Sequence, residues 1–266
     1  MSEMLVDGAK LDACNTAEAD AIRIKTGDAN PIPYDYANNK GFADAIAAIE
    51  SGGEDTLTEL IENTLVDYSY DGTSKIRESM FYKSHGIRDV RFPNTPQIER
   101  NCFSYSTVRN VFAPKALIND ASFRGCSNLV TVVSKAAYAG TNIFAKYATN
   151  MELETVDFTG KGTAGLTASM FTGCQNLSTL ILRQSVIYPL GYINAFTQTP
   201  FASGGTGGTI YIPKALYDHL GDGTNLDYKA ATNWSTLDGY GTITWAQIEG
   251  SIYETQYADG TPISTE

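Results

Sequence analysis

One pattern of apolar and polar positions returns along this chain every 21 to 24 residues. It reads apolar-x-x-apolar-x-apolar, continues through a polar turn and closes on a phenylalanine. Copies open at Leu65, Ile87, Val108, Leu129, Leu153 and Leu177, and the closing residues are Phe81, Phe103, Phe123, Phe144, Phe171 and Phe196. The alternation at the end of each phrase (Val90 and Phe92, Val111 and Ala113, Val156 and Phe158, Leu180 and Leu182) is that of a strand, with a polar Ser134 in the fourth copy. A fixed period of this length predicts a stacked repeat solenoid, mainly β, in which each unit buries its apolar edge against its neighbours.

Residues between the inward positions then form outward columns. One is polar: Asp67, Asp89, Asn110, Thr131, Thr155 and Thr179. The next runs Ser69, Arg91, Phe112, Val133, Asp157 and Ile181, with three apolar residues where solvent is expected. Two explanations stand. β-Branched and aromatic residues suit strands wherever they point; alternatively, Arg91, Phe112, Val133, Asp157 and Ile181 are an exposed binding surface.

Three segments are predicted. Residues 1–53 carry helical spacing around a turn-rich stretch and end in Ser51-Gly52-Gly53, a flexible joint. Residues 54–212 hold an entry helix and the solenoid, finishing in the strand GGTIYI. Residues 213–266 open with a helix, PKALYDHL, and cap the open strand edge, while the tail after Ile252 has little apolar content and is expected to be loosely held unless a partner orders it.

Charge and cysteines narrow the function. Thirty acidic residues against 19 basic give a net charge of -11, with no basic cluster, which disfavours nucleic acid and anionic membrane as partners. No apolar run is long enough to span a bilayer, and the N-terminus lacks a secretory pattern, so the expectation is a protein that is intracellular when made or one that leaves the cell by a route other than secretion, lysis being one. Cys126 and Cys174 occupy equivalent positions two repeats apart, roughly 10 Å by strand spacing, too far for a disulfide. They read as small buried fillers, and with Cys14 and Cys102 the only other cysteines and two histidines, His85 and His219, no metal site is expected.

Candidate chemistry is sparse. Asp67, Ser69, Asp71, Gly72 and Glu78 have calcium-loop spacing, but the repeat register already assigns this stretch to a strand. Gly204-Gly205-Thr206-Gly207-Gly208 precedes a strand rather than a helix and reads as a turn, not a phosphate loop. No Gly-x-Ser-x-Gly is present, and Asp218 with Asp222 or Glu152 with Glu154 are equal candidates for paired-carboxylate sugar hydrolysis. The expectation is a non-enzyme without cofactor. Tyr68 and Tyr70 are expected in the core; Tyr34, Tyr36, Tyr240, Tyr253 and Tyr257 fall outside the register and are expected exposed.

The phrases Phe123-Arg124-Gly125-Cys126-Ser127-Asn128-Leu129 and Phe171-Thr172-Gly173-Cys174-Gln175-Asn176-Leu177 resemble the BspA-type leucine-rich repeat. That resemblance covers residues 65–235, though Phe144 and Phe196 lack the Gly-Cys pair. The phrase AEADAIRIKTGDANPIPYDYANNKGFADAIAAI is similar to a module at the start of tail-associated and surface proteins in phages and prophages of Firmicutes. Together these resemblances imply a phage tail or baseplate protein located in the virion. Residues 1–50 would attach it to other tail proteins, and the repeat surface would meet a host carbohydrate or surface protein. Homo-oligomerisation is part of that expectation. A virion decoration or collar protein and a bacterial surface adhesin are the alternatives.

Overall fold

The computed structural model describes residues 66–138, 140–145, 152–160 and 165–264. The helices expected in residues 1–53 and the entry helix lie outside them, as do Tyr34, Tyr36 and Cys14. Two compact units divide the chain. The first comprises residues 1–68 and 85–88, and within it Arg88 forms a bidentate pair with Asp67, both bonds 3.0 Å. The second comprises residues 69–84 and 89–266.

The strands are β1 (Val66–Ser69), β2 (Ile87–Arg91), β3 (Gln97–Ile98), β4 (Asn110–Ile118), β5 (Thr131–Ala137), β6 (Thr155–Phe158), β7 (Thr179–Leu182), β8 (Gly208–Ile212) and β9 (Ile243–Gln247). They form one open sheet in the order β1-β2-β4-β5-β6-β7-β8-β9, with β3 beside β4. From β2 to β9 every pairing is parallel. This is the predicted repeat solenoid, and it runs one strand beyond Ile212. Short helices follow β8: α1 (Lys214–Tyr217), inside the predicted PKALYDHL segment, and α2 (Trp234–Asp238).

Register is constant at the inward pair that each unit presents, and between β4 and β5 it shifts only beyond Ala113. Val111, Val132, Val156, Leu180 and Ile210 align across successive strands and are fully buried. The polar column aligns beside them, and Asn110 donates to Asp89 across it at 2.8 Å. Ser134, the polar exception in the fourth unit, is fully buried with its Oγ unpartnered. Tyr70 is half-buried rather than in the core, and Tyr68 likewise.

The six closing phenylalanines form a ladder through the interior. Ring centroids lie 4.9, 5.3, 5.7, 5.4 and 5.3 Å apart from Phe81 to Phe196, with interplanar angles of 25° or less. Strand spacing of about 4.8 Å sets that repeat, so parallel stacking is imposed by the coil rather than chosen by the rings. Residues two before and two after the phenylalanine take left-handed backbone: Ser79 and Lys83, Asn101 and Tyr105, Ala121 and Gly125, Ser169 and Gly173. At Gly125 a side chain would be strained by φ of +72° and would meet the Tyr105 ring, 2.6 Å from where a Cβ would stand.

The ladder ends against the cap. Phe196 meets Phe201 and Trp234, and Trp234 packs with Tyr228 and Trp245. Trp234 Nε1 donates to the Tyr188 carbonyl at 2.7 Å, and the Tyr228 hydroxyl accepts from Tyr188 N–H at 2.8 Å, so the polar atoms of these buried aromatics are satisfied.

Cys126 and Cys174 are buried, as fillers should be, and Cys102 is buried as well. Burial pushes the thiols of Cys102 and Cys174 far above their ordinary value. The Cys126 thiol donates to the Phe103 carbonyl of the previous unit at 2.8 Å. Iodoacetamide is expected to leave all three unmodified in the native protein and to alkylate all three in concentrated urea, read by peptide mass mapping. Labelling of Cys102 or Cys174 without denaturant would mean that their coils open readily.

Candidate functional site

The outward column extends beyond its predicted members. Arg91, Phe112, Val133, Asp157, Ile181, Tyr211 and Ala246 align in register across the sheet. The structure therefore brings all five candidate residues into one row on one face. It does not leave them exposed. Phe112 is 6% exposed and Val133, Asp157 and Ile181 are 0%, so only Arg91 reaches solvent.

The expectation of an open column is corrected by the chain's own C-terminal segment. Residues 252–264 return across the face as a strap. Tyr253 meets Tyr211 edge-on at 4.7 Å, and Tyr257 meets Phe112 edge-on at 5.6 Å. The tail predicted to be loose is thus docked, and Tyr253 and Tyr257 are half-buried where exposure was expected; Tyr240 is exposed.

Charge places the strap. Arg183 follows β7 and donates to both carboxylate oxygens of Asp157, Nε at 2.7 Å and Nη2 at 2.8 Å. The same guanidinium reaches two strap carbonyls, Nη1 to Tyr253 at 2.6 Å and Nη2 to Gln256 at 2.9 Å. Ala258 N–H donates back to Asp157 at 3.1 Å. Farther along, Arg91 lies 4.2 Å over the Phe112 ring and binds Asp259 and Thr261, each at 3.2 Å. Burial pushes the Asp157 carboxyl above its ordinary value, while Arg183 and the Ala258 amide pull it down. The Asp157–Arg183 pair therefore fixes geometry more than it adds net stability.

Sequence reasoning missed Arg183 and Asp259. The signal was present: Asp157 stands between Val133 and Ile181 in a strand-borne column, and a carboxylate between apolar neighbours needs an opposite charge within reach. The strap was hard to read because it is held mainly through backbone carbonyls, an amide and ion pairs, none of which shows in hydropathy.

At the β8–β9 end the face is open. A groove of about 480 Å³ is lined there by Tyr211, Tyr217, Trp245, Ala246, Gln247 and Glu249, with Gly250 and Ser251 at its edge. The Tyr211 and Tyr217 rings beside an amide and a carboxylate provide flat apolar surfaces with polar neighbours, the combination that suits a sugar ring or a peptide, while the Trp245 ring packs in the cap against Tyr228 and Trp234.

Other candidates are engaged locally. Asp218 pairs with Lys214 at 2.7 Å, while Asp222 accepts from the Thr224 amide and from His219, which holds its carboxyl down at about 2. Asp67 stands in β1 bound to Arg88, as the repeat register expects. The Gly204–Gly208 run leads into β8, so it is the turn the sequence suggests. Among the described residues no cluster of three or more acidic, histidine or cysteine side chains could hold a metal.

The family model for the BspA type leucine-rich repeat region matches in six copies, over residues 64–178 and 97–201. No curated protein and no solved structure matches the chain significantly. Repeats of this kind are often surface-adhesion or protein-interaction modules. Six repeat copies across just over half of the residues, folded as one open parallel sheet, make the chain a member of the BspA-type leucine-rich repeat family.

Proposed function

We propose that the protein is a phage tail or baseplate component that recognises the host surface. Residues 1–50 attach it to neighbouring tail proteins, and the aromatic groove beside β8 and β9 receives a host carbohydrate or protein segment. The observation that carries this reading is the groove itself. Tyr211 and Tyr217 are half-buried, so their rings are held in place yet reachable, and rigid aromatics bind at low entropic cost. The similarity of the N-terminal phrase to phage tail modules supports the virion setting.

The test is binding of fluorescently labelled full-length protein to a panel of Gram-positive bacteria. Saturable, strain-selective binding is expected, and Tyr211→Ala with Tyr217→Ala should weaken it about tenfold or more, the loss of two stacking contacts. Absence of binding to every strain would leave the second reading, a decoration or collar protein. That reading is favoured by Tyr82 and Tyr105, exposed at 45% and 43%, which meet edge-on at 6.1 Å and give a surface for packing against other virion proteins.

A further inference from the structure

β9 closes the sheet: among the described residues it pairs with β8 on one side and with no strand on the other. Its partnered side is fixed by two end bonds, Gly208 N–H to the Thr242 carbonyl and Ile248 N–H to the Ile212 carbonyl, each at 2.9 Å. Alternate residues of a strand bond to the same neighbour, so Thr242, Thr244, Ala246 and Ile248 turn their main chain to β8. The N–H and C=O groups of Ile243, Trp245 and Gln247 point the other way, and among the described residues they meet no main-chain partner. Nothing in β9 blunts this edge. Its sequence, ITWAQ, has no charge, proline or glycine, and its register with β8 is unbroken from Ile243 to Gln247. The groove described above runs along the same strand, because three consecutive residues, Trp245, Ala246 and Gln247, line it. Successive side chains point to opposite faces, so a groove that touches all three reaches round the strand edge. Among the described residues no cation lines it, whereas Glu249 does, and Glu254 binds the Gly250 N–H at its rim at 2.9 Å. Lys214, whose main-chain N–H donates to Glu249 at 2.6 Å, turns its ammonium to Asp218.

We propose that the free edge of β9 is a docking site for an extended, basic peptide segment of a partner protein, which adds to the sheet as a further strand. The inference rests on the reading of the groove as the binding site and narrows its ligand to a protein segment. Each of the three outward residues offers one donor and one acceptor, and a second extended main chain complements such a row along its whole length. Tyr211 and Tyr217 then receive a side chain of the added strand, and Glu249 and Glu254 attract its lysine or arginine. Charge also selects against a second copy as the occupant, since two chains of net charge -11 repel.

The test takes the full-length protein and a library of random synthetic peptides about eight residues long, enough for one strand. Bound sequences should lack proline, favour β-branched and aromatic residues and carry lysine or arginine. On binding, amide hydrogen exchange followed by NMR should slow at Ile243, Trp245 and Gln247. Methylating the nitrogen of every second residue of a selected peptide should weaken binding at least about tenfold in one phase of the alternation and leave it unchanged in the other. Gln247→Pro removes an outward N–H without breaking a bond to β8 and should weaken binding to a similar degree. If that variant fails to fold, the methylated peptides carry the test. Binding that ignores both methylation patterns and leaves the three amides exchanging overturns the proposal, while the groove survives as a side-chain site. Peptides that never bind, beside cell binding that depends on Tyr211 and Tyr217, overturn it in favour of a carbohydrate. A free protein that dimerises by light scattering and already protects these amides overturns it in favour of a second copy. Failure to bind peptides or cells overturns this proposal and the groove reading together.

Discussion

Replacing Arg183 with methionine should cost about 3–5 kcal/mol at neutral pH, because it leaves the Asp157 carboxylate buried at 0% exposure with its main partner gone. For a domain of this size that is a fall in midpoint temperature of about 10 °C, at roughly 2–4 °C per kcal/mol. The penalty should also depend on pH in a defined direction. Burial already raises the Asp157 carboxyl, and removing the guanidinium removes the largest opposing influence. A raised folded value means that the native state favours the neutral acid. The penalty is therefore full above that raised value and fades as pH falls toward the unfolded value near 4. The measurement is the urea midpoint of variant and wild type at pH 7.5 and at pH 5, with a smaller gap expected at pH 5. A gap that is equal at both, or larger at pH 5, would mean that Asp157 stays ionised and finds another partner. The double change Asp157→Leu with Arg183→Met should cost far less than Arg183→Met alone, since no charge is then stranded.

Phe123→Ala should be at least as damaging, costing about 3–5 kcal/mol for the lost burial and cavity. A further ~0.5–1.5 kcal/mol goes with each of its two stacked neighbours, Phe103 and Phe144. Phe201→Ala removes an equally buried phenylalanine at the cap end, which meets the ladder at one ring, Phe196, edge-on. Its cost should be visibly lower. In a stack where each unit contacts only its neighbours, a mid-ladder break also weakens the coupling between the two halves. Urea unfolding of Phe123→Ala should accordingly broaden or split into two steps, while Phe201→Ala keeps a single sharp transition. Equal costs for the two variants would show that the ladder rings contribute independently of their stacking.

The fold was legible because a period is a global signal. Spacing alone placed the strands, aligned Val111 with Val132 and Val156, and picked the phenylalanines that turned out to stack. The column was legible as a row for the same reason. Its exposure was not, because covering it depends on a segment about 70 residues from Arg183 and about 170 from Arg91 in sequence. That segment contributes Ala258 and Gln256 through main-chain atoms that every residue type carries. Burial of Phe112 beneath Tyr257 and of Asp157 beneath Ala258 thus follows from long-range placement, which no local pattern records. The end of the array was legible only in part: Ile212 looked final because the next strand, ITWAQ, lies beyond a long insertion that breaks the period.

The strap also has a bearing on how this array can change its length. Repeat arrays ordinarily gain or lose whole units by duplication and deletion, since only neighbouring units must match. Here the segment that begins over Tyr211 on β8 must still reach Arg91 on β2. Each inserted coil would widen that distance by about 4.8 Å, more than one extended residue at about 3.3 Å can bridge. A duplicated coil without a matching insertion in the tail would pull Asp259 away from Arg91 or Ala258 away from Asp157. The strap thus acts as a molecular ruler, tying the copy number of the repeats to the length of a segment that is not itself a repeat.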